Sequence, residues 1–290
     1  MANSPFHITT ATSVFKNDGT NAFDGDNSGP DTLIVDPGAF LISTNGGGAS
    51  LAPTGVWTVT LNGSIISLIG SGIFLDAGIS AISTINIGVD GEVQGGTAAI
   101  VLGSSANINN AGQISGFVGG VFGIGIQIAN GGTHVITNSG EITAAPTGLA
   151  AIEASGTSDD TVHNSGTITG AINLSSGNDT VTNSAIVNGP INLGDGTNHL
   201  TNSGKIFADV SGGDNGTDMV TNSNLISGAL FLGDGTNTLV NSGTITSFVD
   251  GGSGSDTVTD FAIVGDVIKS GTISGLIFLG AGNDTFTGRC

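Results

Sequence analysis

Cysteine, tyrosine and basic residues are nearly missing from this chain. Its 290 residues include one Cys, one Trp, no Tyr and only four Lys and Arg, against 23 Asp and Glu, so the formal net charge is −19. The single Cys290 cannot close an internal disulfide, and we interpret it as an exposed thiol in the tail. Because so acidic a surface repels phosphate groups, nucleic acid is not an expected partner, whereas cations are.

Long hydrophobic runs are also missing. The most apolar stretch, residues 65–87, is interrupted by glycine, serine, aspartate and asparagine, so neither a membrane-spanning helix nor membrane insertion is expected. The first residues, MANSPFHITTATSVF, have neither a cationic start nor an apolar core, and no N-terminal signal peptide is visible.

Residues suited to catalysis are sparse. Three lysines and Arg289 supply almost no cation that could stabilise an oxyanion or bind an acidic sugar. The four histidines, His7, His134, His163 and His199, share no metal-ligand spacing, and the repeat register places His163 and His199 at outward-facing positions. We therefore predict that the chain is not an enzyme.

Glycine and repetition are abundant. Between Asp160 and Asn237 nearly the same phrase occurs four times, as in DTVTNSAIVNGPINLGDGT, and its starting residue recurs every 19 or 20 positions. A fixed period near 20 residues is typical of a solenoid, in which each repeat forms one coil stacked on the next. Apolar residues recur in register and make up 38% of the chain, which argues against a disordered glycine-rich linker.

Three apolar positions recur in each coil and alternate with Thr, Ser and Asn, the period of two that is typical of strands with one buried face. The three files are Val162, Val181, Leu200, Val220, Leu239 and Val258; Ile168, Val187, Ile206, Ile226 and Ile245; and Ile172, Ile191, Val210, Leu230 and Val249. The predicted fold is all-β: a single right-handed parallel β-helix (β-solenoid) of about ten to twelve coils, with about 19–20 residues per regular coil.

Three segments are expected along this solenoid. Residues 1–56 match the repeat poorly and are rich in Phe and Pro, so they are predicted to form an irregular N-terminal cap. Residues 57–159 are expected to form coils with longer loops, and residues 160–290 the regular coils, with one enlarged coil between Asp256 and Asn283. The C-terminal end shows no evident cap and is expected to be open.

One register position is occupied by asparagine in six coils: Asn138, Asn164, Asn183, Asn202, Asn222 and Asn241. An amide group both donates and accepts, so stacked asparagines can satisfy one another at a buried bend. We interpret this file as a structural ladder.

The opposite corner carries glycine-rich turns that end in Asp or Asn. Residues 251–259, GGSGSDTVT, match the nine-residue pattern G-G-x-G-x-D-x-U-x, where U is a large apolar residue, and residues 279–287, LGAGNDTFT, differ only at the first position. In these turns the chain resembles the repeats-in-toxin (RTX) family of calcium-binding secreted proteins. Its NSGTITG segments resemble the passenger domains of bacterial autotransporter adhesins, and the resemblance covers roughly residues 134–287.

This resemblance implies a secreted or cell-surface solenoid that holds Ca²⁺ between successive turns through Asp carboxylates and backbone carbonyls. The residues that match the motif's Asp are Asp179, Asp218, Asp256 and Asp284, and the neighbouring Asp195, Asp214 and Asp234 are candidate additional ligands. Asn198 and Asn237 replace Asp at the same position, and a neutral amide is a weaker ligand for a hard cation. Ordinary Gly, Asn and Asp turns without a metal remain the alternative.

These features predict an extracellular structural module that associates end to end into a filament or matrix, or acts in adhesion with cell-surface glycans as partners. One alternative is a carbohydrate-active lyase or hydrolase, which requires an outward groove lined by carboxylates and an aromatic platform. The other is an ice-binding solenoid, for which the turn row is mixed: Asn178, Thr197, Thr217, Thr236, Ser255 and Asn283.

Overall fold

Short strands and tight turns make up the whole described chain. The computed structural model describes residues 5–25, 31–52, 55–76, 82–118, 121–129, 132–144, 150–264 and 267–288; Arg289 and Cys290 lie outside these ranges. Within them every regular element is a strand, and no helix is long and apolar enough to span a bilayer. Each coil contributes one strand to each of three long parallel sheets, so the predicted parallel β-helix is confirmed.

Sheet 1 is the longest of the three and contains 13 strands. Its strands are, in order, Phe6–Ile8, Asp31–Val35, Trp57–Leu61, Ser83–Ile87, Ala106–Asn110, Thr133–Asn138, Asp159–Asn164, Thr180–Asn183, His199–Asn202, Met219–Asn222, Thr238–Asn241, Thr257–Thr259 and Thr285–Thr287. At about 4.8 Å between neighbouring strands, the solenoid is about 60 Å long.

Sheets 2 and 3 contain 12 strands each. The strands of sheet 2 are Val14–Lys16, Phe40–Ser43, Ser64–Ser67, Glu92–Gly95, Gln113–Ser115, Glu141–Thr143, Thr167–Thr169, Ile186–Asn188, Lys205–Ile206, Leu225–Ile226, Thr244–Ile245 and Thr272–Ile273. The strands of sheet 3 are Phe23–Asp24, Ala49–Leu51, Ile73–Leu75, Ala98–Leu102, Ile124–Ile128, Ala150–Ala154, Ala171–Asn173, Ile191–Asn192, Val210–Gly213, Leu230–Gly233, Val249–Asp250 and Ile277–Phe278.

The three predicted apolar files form the interior, one file on each sheet. Every one of their side chains is 0% or 1% exposed. Neighbouring members pair in register, as Val162 does with Val181 in sheet 1 and Ile172 with Ile191 in sheet 3. Alternate residues point outward, so a single continuous core fills the solenoid between the sheets.

The N-terminal segment is part of the solenoid, so the irregular cap predicted for residues 1–56 is wrong. Phe6–Ile8 and Asp31–Val35 take the first two places in sheet 1, and sheets 2 and 3 are extended in the same way. Phe6 and Phe23 pack around the fully buried Trp57, with ring centroids 6.1 Å and 6.2 Å from the indole. The coils here are longer, since Phe6, Leu33 and Val59 share a register position at intervals of 27 and 26 residues, and this hides them from a search for a 19-residue period.

Two antiparallel hairpins interrupt the parallel coils. Phe117–Val118 pairs with Val121–Phe122, and Phe261–Val264 pairs with Val267–Ser270. The second hairpin accounts for the extra residues of the predicted enlarged coil. After it the chain rejoins sheet 2 at Thr272–Ile273.

Candidate functional site: the glycine-rich turns

The turns between sheet 3 and sheet 1 stack so closely that their first residue is nearly always glycine. Gly194, Gly233, Gly252 and Gly280 all have φ of 80–82°. A Cβ on Gly233 would lie 1.5 Å from the carbonyl oxygen of Gly213 in the preceding coil. Left-handed geometry and close backbone contact therefore both require glycine.

The Asp and Asn residues that end these turns form one column inside the solenoid. From Asp179 to Asp284, each Oδ1 accepts a hydrogen bond from the backbone N–H of the column residue one coil earlier, at 2.7–3.0 Å. The column runs Asp160, Asp179, Asn198, Asp218, Asn237, Asp256 and Asp284. We name it the turn column; it brings together all four residues predicted as primary calcium ligands.

Aspartate and asparagine differ at the second side-chain atom of the turn column. The Nδ2 of Asn198 donates to the carbonyl of Gly194 at 2.8 Å, and the Nδ2 of Asn237 donates to Gly233 at 3.0 Å. In Asp179, Asp218 and Asp256 the corresponding Oδ2 is buried and has no hydrogen-bond partner. A carboxylate oxygen cannot donate to a carbonyl, so these three oxygens need a proton or a cation.

Burial raises the pKa of the same three carboxyl groups. The pKa of Asp179 rises from 3.8 to about 7 because the group is desolvated, and the charges of Asp160 and Asp159 add to the effect. Desolvation likewise raises the pKa of Asp218 and of Asp256. Each therefore gains a proton more readily than an ordinary aspartate.

The additional ligands predicted from the sequence lie on the outer side of the turns. Asp195 Oδ1 accepts from the N–H of Asp214 at 3.0 Å, and Asp234 Oδ1 accepts from Ser253 at 2.9 Å. Their charges contribute to the raised pKa of Asp218 and Asp256, respectively. Within the described ranges no three His, Cys, Asp or Glu side chains converge on one point, so a Ca²⁺ ion here would take most of its ligands from backbone carbonyls.

The opposite corner contains the asparagine ladder. Each Nδ2 donates to the Oδ1 of the next coil's asparagine, at 2.8–2.9 Å from Asn138 through Asn241. The structure extends the predicted ladder at both ends, since Asn110 donates to Asn138 and Asn241 donates to Asp260, both at 2.7 Å. The ladder residues from Asn110 to Asn241 are 0–2% exposed and hold the bend between sheets 1 and 2.

His134 is fully buried. It occupies the turn-column position one coil before Asp160, and its Nδ1 lies 2.8 Å from Asp160 Oδ1. Its Nε2 faces the carbonyl of Ser104 at 3.2 Å, and Ser158 Oγ donates to the second oxygen of Asp160 at 3.1 Å. Asp160 therefore has the partners that Asp179, Asp218 and Asp256 lack.

A groove of about 310 Å³ lies beside the turns, on the outer face of sheet 3. It is lined by Ser211, Gly213, Asp214, Phe231, Gly233, Asp234, Asp250 and Gly252. Carboxylates and an aromatic ring are the two features required of the carbohydrate-active alternative. None of the lining residues is basic, so the lining charge is entirely negative.

The outer face of sheet 1 carries two columns made mainly of threonine. Pairs on single strands include Thr58 with Thr60, Thr180 with Thr182, Thr257 with Thr259, and Thr285 with Thr287. Other residues interrupt the columns on several strands, among them Asn107, Val135, His199, Met219 and Val240. Asp159 and several histidines also lie on this face, which repeats about every 4.8 Å along the solenoid.

These features define the chain as a parallel β-solenoid with an acidic edge of glycine-rich turns. Comparison with protein families, with curated proteins and with solved structures finds no match to this chain.

Proposed function

We propose that this chain is a structural β-solenoid module of the cell surface or extracellular space, which associates end to end and is stabilised by Ca²⁺ in its turns. The observation that carries the proposal is the stacking of coils in three long parallel sheets, a pattern that the coils of a second copy can continue. Adhesion through such an assembly belongs to the same function, with the repeated outer faces available to a partner.

The C-terminal end coil presents apolar groups that are buried in every interior regular coil. Phe286 is 48% exposed, whereas its register partner Val258 is 0% exposed. Ile273 and Ile277 are half-buried, and their partners one coil earlier are fully buried. The strands of this coil also have no neighbour on one side among the described residues, which leaves a template for another coil.

The N-terminal end coil offers a complementary surface. Phe6, Ile8, Val14 and Phe23 are only half-buried, although they pack on the core. Because all three sheets are parallel, the last strands of one copy can pair with the first strands of a second copy without reversing direction. Such a head-to-tail contact repeats without closing, so it builds a filament.

The turn column supports the calcium part of the proposal. Asp179, Asp218 and Asp256 each hold a buried oxygen without a partner, and a cation between successive turns would satisfy it. Asp284 would supply the corresponding carboxylate in the last described turn. A ligand that binds only the folded chain raises its melting temperature, so Ca²⁺ should stabilise the solenoid and EGTA should reverse the effect.

Sedimentation velocity tests the assembly. The wild-type chain should form concentration-dependent oligomers, and Phe286→Lys should abolish them by placing a charge in the end-coil core. His163→Lys adds the same charge at an exposed interior-coil position and should leave assembly unchanged. Melting curves must show that both variants are folded. Equal assembly by wild type and folded Phe286→Lys would reject the end-to-end contact.

The threonine columns favour ice binding as a second candidate function. Hydroxyl groups repeat at about 4.8 Å along the solenoid and about 6.7 Å across a strand. Where threonines follow one another on successive strands, as at Thr257 and Thr285, their hydroxyl groups can order water in a lattice comparable to an ice surface. The wild-type chain should then show thermal hysteresis, and the double variant Thr180→Lys, Thr182→Lys should lose it. Absence of thermal hysteresis in the wild-type chain would exclude this function.

A further inference from the structure

The groove on sheet 3 is built around one carboxylate between two aromatic rings. Phe231, Asp250 and Phe278 occupy successive places in one outward column, because Phe231 pairs with Asp250 and Asp250 pairs with Phe278. Phe248 contacts both rings edge-on, with centroid distances of 5.2 Å to Phe231 and 6.1 Å to Phe278. Phe231, Phe248 and Phe278 thus hold one another in place and form an aromatic wall.

Carboxylates surround this wall. Asp214 and Asp234 line the groove from exposed turn positions, and Asp250 lies on the strand itself. Asp250 Oδ1 accepts from the N–H of Gly252 at 3.1 Å, which fixes its direction and leaves the second oxygen available. Asp214 and Asp234 share a register position on neighbouring coils, about 4.8 Å apart along the solenoid, and Asp250 lies on the next coil at the register position of Phe231. Together the three carboxylates create a strongly negative potential.

Two further carboxyl groups lie directly behind the groove floor. The Oδ2 atoms of Asp218 and Asp256 are buried without a partner, and both side chains are 1% exposed. They lie 2.4 Å and 2.7 Å from the positions that Cβ atoms on Gly212 and Gly251 would occupy, next to floor residues Gly213 and Gly252. Gly212 and Gly251 are inward-facing positions, so these two oxygens lie on the interior side of sheet 3, with the strand backbone between them and the groove.

We propose that this groove binds an organic cation, namely an alkylammonium or guanidinium group carried on an apolar stem. The phenyl rings provide a face for the cation and a surface for its stem, while Asp214, Asp234 and Asp250 supply opposite charge and acceptors. A hydrated metal ion would leave the rings unused, and a neutral sugar would leave the carboxylates without counter-charge. Lysine or arginine side chains of a polypeptide and free polyamines share this chemistry.

The inference goes beyond the structural function, since the groove lies on the side of the solenoid and needs no second copy. Binding can be measured by calorimetry on the full chain, with an oligolysine peptide and with spermidine as probes. Phe231→Leu should weaken binding about threefold to fivefold, and Asp250→Asn about fivefold. The matched controls are Phe74→Leu, an exposed ring in the same outward column whose register neighbours are Ser50 and Val101, and Asp90→Asn, an exposed acid elsewhere.

Each outcome decides the proposal. Loss of affinity in Phe231→Leu and Asp250→Asn, with both controls unchanged, would support it. If the oligolysine peptide binds more tightly than spermidine, the source of the cation is a polypeptide. If spermidine binds more tightly, the source is a free polyamine. Equal loss in Asp90→Asn and Asp250→Asn would overturn it, because the attraction would then be diffuse. Binding of a neutral oligosaccharide but of neither amine would overturn it in favour of the carbohydrate alternative.

Discussion

Replacing Asp179 with asparagine should stabilise the protein at alkaline pH when calcium is absent. In the folded chain Asp179 Oδ1 accepts from the N–H of Asp160 at 2.7 Å, and an amide oxygen preserves that bond. The buried Oδ2, which has no partner, becomes an Nδ2 donor. In Asn198, one coil later, the same donor reaches the carbonyl of Gly194 at 2.8 Å.

The magnitude follows from the pKa of Asp179. Burial raises it from 3.8 to about 7, so the folded chain binds a proton between these values while the unfolded chain does not. The favourable contribution is complete below about pH 4 and is lost as pH rises through about 7. A shift of this size corresponds to ~4 kcal/mol as an upper value. Asp179→Asn should therefore gain ~2–4 kcal/mol over wild type at pH 8 and little at pH 4.

Urea unfolding at several pH values, with EGTA and then with calcium, measures both parts of this prediction. In EGTA the wild-type stability should fall between pH 4 and pH 8, and that of Asp179→Asn should fall less. Calcium should restore wild-type stability at pH 8 and help the variant less, because an amide is a weaker ligand. Asp90→Asn, at an exposed turn, should follow wild type throughout. A variant less stable than wild type at pH 8 in EGTA would refute the reasoning.

Three further substitutions test individual contacts, each by urea unfolding against wild type. His134→Ala leaves the Asp160 carboxylate buried without its partner and should cost about 3–5 kcal/mol; a loss below 1 kcal/mol would contradict the buried pair. Asn183→Ala removes two ladder bonds and should cost about 2–4 kcal/mol, whereas the exposed Asn188→Ala should change stability by less than about 0.5 kcal/mol. Ser175 has φ of 70° in a turn position that glycine occupies in the later regular coils, so Ser175→Gly should raise the free energy of unfolding by ~0.5–1 kcal/mol. A lower free energy of unfolding in this variant would show that contacts of the hydroxyl group outweigh the backbone strain.

The sequence predicts the solenoid well wherever the coils have equal length. Val162 and Val181 share a register position 19 residues apart, and the same spacing places Asn164 above Asn183. The sequence did not reveal the N-terminal coils, because their loops differ in length and Phe6 and Phe23 occupy core positions that aliphatic residues hold in later coils. Trp57 fills the core from the register position that Asp160 holds further along. Pairing between strands fixes the register, whereas the repeat period counted along the sequence also includes the residues of the loops.

The turn column was predictable only in part. Its residues follow from the glycine-rich motif, but the difference between Asn198 Nδ2 and Asp179 Oδ2 depends on which atoms each side chain faces. The burial of His134 had a signal, since aligning THVITNSG with DDTVHNSG places His134 at the position of Asp160. The sequence signal for the groove on sheet 3 was weaker. Phe248 lies outside the strands of sheet 3, so its contact with Phe231 becomes visible only in the folded structure.

Electron microscopy and sedimentation of the purified chain at several calcium concentrations test the central claim most directly. The account predicts filaments or end-to-end oligomers about one solenoid wide, with calcium raising the melting temperature and EGTA reversing that rise. Monomers alone at high protein concentration, with and without calcium, together with melting that calcium leaves unchanged, would contradict it.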